Sequence, residues 1–277
     1  MKSKSEVFFS IKTGKFVFNH IYNHSPDTSS FHVHTHDVPE LIFIKQIDGC
    51  HVIEDREYPL SGMDLIIVPP AACHSIKLYS SSPYERYDIC FDPGLPGNAF
   101  DRIYNSMTVV NCAQNSIISD IFRKADRYAE MFSEDDFESI SKLLITEIFY
   151  NLTVLDRVYS INPTIVSPIL SKALEYINQN IYTIESVSQV SNALYITESY
   201  LYEIFKKQLR TSPKKYITAK RLHAARSAIS MGEKPTEVFS KFGFGDYTSF
   251  YRSYINFFGH APSREKDFSF SAEKFSV

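Results

Sequence analysis

The feature that most constrains this chain is an internal repeat, offset by 49 residues, in its last third. Thr197 aligns with Asp246, Leu201 with Phe250, Phe205 with Tyr254, and Pro213 with Pro262. Thr197 and Asp246 both have side-chain oxygens that accept from the free N–H groups of a first helical turn, so each predicts a helix start. A predicted helix and turn precede each: Glu185–Leu194 before the first, Pro235–Phe242 with Gly243 before the second. Pro235 suits a first helical position, and Gly243 a left-handed one just past a helix end. At about 100° per residue, Leu201, Ile204 and Phe205 share one face of the first repeat helix. Ser199, Tyr202, Glu203, Lys206 and Arg210 lie opposite. In the second helix Phe250, Tyr254 and Phe257 point inward, and Thr248, Tyr251, Arg252 and Ile255 point outward. The outward sets coincide under the offset, as expected of two helices presented to successive major grooves.

Ser212-Pro213 predicts a capped start for the connecting helix, whose pattern runs to about Met231. Its length of about 28 Å approaches the ~34 Å between neighbouring major grooves on one face of a duplex. Arg221 falls on the apolar arc of this strut with Ile217, Leu222, Ala225 and Ile229, which predicts a buried arginine paired with a carboxylate.

Charge divides the chain in the same sense. Residues 1–164 hold 14 Lys/Arg against 22 Asp/Glu, and residues 165–277 hold 15 against 10. Only the rear has the balance expected of a region that meets a polyanion. The four cysteines show no C-x-x-C spacing and read as thiols in a reducing cytoplasm, with Cys73 beside His74 the one placed for a redox role. The first residues lack the apolar run of a signal peptide, and no stretch is apolar enough to span a bilayer, so the expectation is a cytoplasmic protein without a membrane partner.

From Phe16 to Phe91, short β-rich runs alternate with turn residues and predict an antiparallel sandwich or barrel. Helical spacing follows at Ile117, Ile118, Ile121, Phe122, Ala125, Ala129 and Phe132, and again at Ile140, Leu143, Leu144, Ile148, Leu152 and Leu155. Two uses stay open for these stripes: a cover for the β region or a dimer interface. The segment 157–168, with Asn162-Pro163 and Ser167-Pro168, predicts a linker, and no structure is assigned to 268–277.

At this point a family resemblance is carried by particular residues. Leu194-Tyr195-Ile196-Thr197, Tyr200 to Lys207, Ser212-Pro213 with Tyr216, Arg221 with Ala225, and Gly243 to Asp246 followed by Phe250, Tyr254 and Phe258-Gly259-His260-Ala261-Pro262 resemble the DNA-binding unit of AraC/XylS transcription regulators. The resemblance covers 169–267. It implies seven helices, promoter DNA as partner, contact with RNA polymerase, and activation as the usual outcome. Matching positions make Ser199, Tyr202, Glu203, Tyr247, Thr248, Tyr251 and Arg252 candidates for base edges, and Lys206 and Lys207 for phosphates. The chain departs from the family pattern at Ser191 and Phe239, where Ala is usual, at Glu203 and Ile255, where basic residues are common, and at Arg210, where Gly is usual.

In the front half, His34-x-His36-x3-Glu40, Gly49, and Gly62, Asp64, Pro69 and His74 resemble the two cupin motifs. On alternating positions His34 and His36 share a face, and with Glu40 and His74 they form a three-histidine, one-carboxylate set suited to a divalent transition metal or kept as a pocket remnant. No cofactor is assigned. Phe31, Phe43, Tyr58, Tyr87 and Phe91 are candidate lining or core aromatics; the candidate effector pocket is Phe31, His34, His36, Glu40, Phe43, His74 and Tyr87.

The expected fold is therefore α+β with two domains. A cupin-like β-barrel (1–100) and a helical hairpin (101–160) precede a linker (161–168) and an all-α unit with two helix-turn-helix motifs (169–267). The expected function is a homodimeric, non-enzymatic, sequence-specific regulator with a small-molecule effector. The alternatives are a metal-dependent cupin enzyme with a helical appendage, or a ligand-independent regulator controlled by a partner protein.

Overall fold

The computed structural model describes residues 5–13, 16–28, 31–36, 38–92, 95–96, 109–154 and 163–267. The expected boundary at residue 100, the first two residues of the expected linker, Leu155 and the tail lie outside them. Among the described residues ten antiparallel strands form two sheets. They are β1 (Ser5–Lys12), β2 (Phe16–Asn23), β3 (Glu40–Gln46), β4 (Gly49–Ile53), β5 (Arg56–Pro59), β6 (Asp64–Val68), β7 (His74–Leu78), β8 (Tyr84–Phe91), β9 (Val109–Asn111) and β10 (Thr164–Ile165). One sheet has the order β1-β2-β8-β3-β6-β9 and the other β10-β5-β4-β7. Among the described residues these are two open sheets packed together, so the barrel expectation resolves as a sandwich.

The larger sheet is covered on both faces, which is why β3 and β6 read as unbroken apolar runs. Ile42, Ile44, Ile66, Val68 and Tyr84 meet Ile53, Tyr58, Ile76 and Leu78 of the smaller sheet. Leu41, Phe43, Leu65, Ile67, Tyr87, Ile89 and Phe91 face the other way, into a core closed by two helices. These are α1 (Ser116–Met131), whose N-terminus is capped by Asn115, and α2 (Glu134–Val154). Phe122 of α1 stacks on Phe43 with ring centroids 4.4 Å apart. The helices thus cover the sheet through Ile118, Ile121, Phe122, Phe137, Ile148 and Leu152, whereas Ile117, Phe132 and Leu143 of the predicted stripes stay exposed.

The rear of the chain holds α3 (Pro168–Asn180), α4 (Val187–Ala193), α5 (Glu198–Leu209), α6 (Pro213–Ser230), α7 (Pro235–Lys241) and α8 (Tyr247–Phe258), then a closing 3-10 turn at Pro262–Asp267. The anticipated caps form: Thr197 Oγ1 accepts from Tyr200 N at 3.2 Å, and Asp246 Oδ1 from Ser249 N at 2.8 Å. Leu170, Ile177, Val190, Leu201, Phe205, Tyr216 and Ile217 bury one core around α3 to α6. Leu222, Ala225, Ile229, Val238, Phe250 and Tyr254 bury a second.

Front and rear touch directly. β10 pairs with β5, and Val166 N donates to Asp55 O at 2.8 Å. Cys73 and Val33 join the first helical core. Glu54, at φ +54° in the β4–β5 turn, accepts from Tyr216 Oη at 2.6 Å and from Lys220 Nζ at 2.8 Å. Burial pushes the Cys73 thiol up to about 12, helped by the Glu54 charge, which removes the thiolate a redox role requires.

Candidate nucleic-acid interface and histidine cluster

Each of α5 and α8 follows a short helix and a tight turn. Before α5, Ile196 N returns to Ser191 O at 3.0 Å; before α8, Phe244 N returns to Phe239 O at 3.0 Å. Packing of Leu201, Ile204 and Phe205 inward leaves Ser199, Tyr202, Glu203, Lys206 and Lys207 exposed. In α8, burial of Phe250 and Tyr254 leaves Thr248 and Arg252 exposed, while Tyr247, Tyr251 and Ile255 are half-buried. Tyr247 rests edge-on against Phe239 with centroids 5.9 Å apart, so the bulky residue at the tight point of the second pair is accommodated by the first turn of α8. Ser191 is buried, its Oγ donating to Ser188 O.

A recess of about 450 Å³ lies beside α5, lined by Ser199, Tyr202, Lys206, Arg210, Thr211 and Lys215 among others. Arg210 is on the outward face as expected, and Lys215 is the cation that reading the helix alone leaves out. The signal was present: Ser212-Pro213 starts α6 where Lys215 falls in the first turn, next to the end of α5.

Arg221 departs from expectation. Among the described residues no carboxylate meets it; its Nε, Nη1 and Nη2 donate to the carbonyls of Ile181, Gly243 and Ile184 at 2.6, 2.7 and 2.6 Å. Burial lowers the pKa of this guanidinium from its ordinary value. The carbonyls of Ile181 and Gly243 lie at the C-terminal ends of α3 and α7, where unsatisfied oxygens and the helix dipole favour a cation without a carboxylate.

In the front half, His34, His36, Glu40 and His74 do come together, each with one ligand atom within 4.8 Å of the others. His34 and His74 exchange backbone hydrogen bonds of 3.0 Å across an isolated bridge. Their Nδ1 atoms lie 2.9 Å from the carbonyls of His32 and Ala72, a contact that fixes the proton on Nδ1 and turns Nε2 towards the cluster. Glu40 Oε2 sits 3.1 Å from His74 Nε2 and 3.4 Å from His36 Nε2. Burial pushes the Glu40 carboxyl up, but the two rings outweigh it and hold it well below the usual carboxylate range. The buried His36 has no hydrogen-bond partner at Nδ1, and its Nε2 has only the long 3.4 Å contact with Glu40. Oriented imidazoles, an ionised carboxylate and an unsatisfied buried ring form a donor set that fits a divalent transition ion.

The recess against this cluster measures about 280 Å³ and is lined by Phe31, His34, Glu40, His51, Tyr84 and Arg86 among others. Of the expected pocket residues, His36, Phe43 and Tyr87 do not line it. Successive strand residues alternate faces, so Glu40 and Ile42 face the recess while Phe43 faces α1, where Tyr87 Oη donates to Asp126 at 2.5 Å. His51, Tyr84 and Arg86 are additions. His51 is buried beside His74, burial lowers its pKa to about 3, and neither of its ring nitrogens has a partner. The Tyr84 hydroxyl is also buried without one.

A model for a helix-turn-helix domain matches residues 190–267, the stretch that contains α5, α6, α7 and α8. Over 229 residues the chain is 23% identical to the lactose operon transcription activator of Staphylococcus xylosus, covering 79% of this chain and 80% of that one. The chain is a DNA-binding transcription regulator that carries an AraC-type helix-turn-helix domain in its rear part. The regulator is also 26% identical over 243 residues to the Msm operon regulatory protein of Streptococcus mutans, covering 80% and 81% of the two chains. Among solved structures, a ToxT protein from Vibrio cholerae matches 95% of the regulator at 14% identity with a TM-score of 0.38. No helix among the described residues is long and apolar enough to cross a membrane.

Proposed function

We propose that this regulator reads promoter DNA with two helix-turn-helix motifs, α4–α5 and α7–α8, and that its front half is a cupin-like sensing domain. The observation that carries the reading is the matched pair of capped helices, with Lys206, Lys207 and Arg252 exposed and joined by an α6 strut of about 27 Å. Ser199, Tyr202, Glu203, Thr248, Tyr251 and Arg252 face base edges in this reading; Lys206, Lys207, Arg210 and Lys215 hold phosphates. Tyr247, engaged by Phe239, acts chiefly in packing.

The recess beside His74 suits a small polar effector, which would satisfy His51 and the Tyr84 hydroxyl. Relatives named for the lactose and raffinose operons make carbohydrates the first class to test, and activation the first direction. A bound metal would supply an electrophile for an effector oxygen at His34, His36, Glu40 and His74. The exposed Leu143, Tyr150 and Val154 of α2 recur along one helix face and suit a homodimer contact. A cupin enzyme with a helical appendage would require turnover that disappears in His36→Ala.

The deciding experiment is genome-wide footprinting with and without candidate sugars, paired with titration of a duplex at several salt concentrations. Binding that weakens steeply with salt is expected. Absence of salt-sensitive binding to any duplex would sink the DNA-reading proposal.

A further inference from the structure

The geometry points to Arg221 as a positioning residue that sets the spacing between the two DNA-reading helices, an inference that rests on the reading of α5 and α8 given above. Arg221 belongs to neither helix. It projects from the middle of α6 and holds two turns at once. Two of its carbonyl partners, Ile181 and Ile184, flank the turn that leads into α4 and so fix the start of the first pair. The third, Gly243, lies in the turn of the second pair, between α7 and α8. A single planar fork with three donors therefore ties the first pair to the second across the strut.

The clamp has no slack. Gly243 stands at φ +78°, and a Cβ there would lie 2.8 Å from Arg221 Cζ and 2.6 Å from Tyr182 O. The same two turns touch again where Tyr182 meets Phe242 edge-on, with centroids 5.1 Å apart. The two helical cores are otherwise separate clusters, joined by the continuity of α6. A helix alone transmits bending and twist, so a lateral tie between the turns is what holds α5 and α8 at a defined separation and rotation. Lysine cannot reproduce it, because one ammonium replaces three donors held in a plane.

The prediction concerns spacing more than affinity. A duplex is first selected from a randomised library by the full-length chain, and its two protected segments are then separated by one inserted base pair. The insertion turns the second segment by about 35° about the duplex axis. The wild-type chain is expected to lose about tenfold or more in affinity. Arg221→Lys is expected to bind both duplexes within about threefold of each other, because its two reading helices adjust independently. Gly243→Ala, which presses on the guanidinium from the other side, is expected to relax the spacing preference likewise.

A uniformly weakened Arg221→Lys that keeps the wild-type ratio between duplexes would overturn the proposal. So would loss of the folded unit in both variants, which would leave Arg221 a role in folding alone. A wild-type chain that binds no duplex is a different result: it removes the DNA-reading proposal itself, and this one with it.

Discussion

Arg210 ends α5 at φ +55°, a left-handed conformation that costs a residue with a Cβ about 1 kcal/mol and glycine nearly nothing. The side chain is retained at that cost beside a recess whose other cations are Lys206 and Lys215. Arg210→Gly should therefore raise stability by about 1 kcal/mol in urea unfolding, while reducing the salt dependence of DNA binding by about one phosphate contact. A stabilised variant with an unchanged salt slope would remove Arg210 from the interface. Arg252 tests the other kind of contact. Its replacement by Ala should cost about 1–3 kcal/mol and relax preference at one base pair; uniform weakening on all sequences would make it a phosphate contact. At this scale the sequence told a good deal about exposure and little about partners. The apolar arc of α6 put Arg221 inside, and it is half-buried; backbone carbonyls carry no residue-type signature, so a carboxylate was the natural and mistaken expectation. Phe43 is the opposite case. Its three-residue separation from Glu40 in one strand already puts the two side chains on opposite faces, and the period of two would have excluded it from the pocket.

Elements were the most legible level, because caps and periodicity are local. Thr197, Ser212 and Asp246 each start the helix expected of them. The contacts between distant elements were not legible, since nothing in the β4–β5 turn announces that Glu54 will accept from Tyr216 on α6. Burial alone would raise the Glu54 carboxyl, but Lys220 and Tyr216 lower it below its ordinary value of 4.5. Its folded pKa is depressed, so its stabilising contribution is present above the unfolded value and is lost as pH falls through the folded one. Glu54→Ala removes the acceptor of a buried hydroxyl and should destabilise the chain by about 1–3 kcal/mol near neutral pH, as read by denaturant unfolding. The difference between the two proteins should shrink in acid. An equal difference at all pH values would show that the turn's conformation matters and the carboxylate does not.

Across the whole molecule, acid sensitivity has a second source. His223 of α6 is buried against Phe257 and Phe258 with Nε2 unpartnered. Burial, and then the charges of Lys220 and His36, lower its pKa from 6.5 to about 3. Between those values the unfolded chain binds a proton that the folded chain refuses, so stability falls as pH drops from 6.5 towards 3. His223→Gln should flatten the stability profile in that window, measured by thermal unfolding at a series of pH values. A metal at the histidine cluster is tested separately, by elemental analysis of the full-length protein and of His36→Ala; a metal-free wild type purified without chelators would leave the cluster as a hydrogen-bonding pocket wall. β10 gives the chain's architecture one more consequence. Its two residues occupy the outer edge of β5, so the segment expected to be a linker completes a sheet belonging to the domain it leaves. Dividing the protein at that segment would strip the edge and present β5 to any other chain with a free strand. The junction between the two regions thus doubles as a guard against self-association, and fragments of this regulator should behave worst when cut where the sequence most invites it.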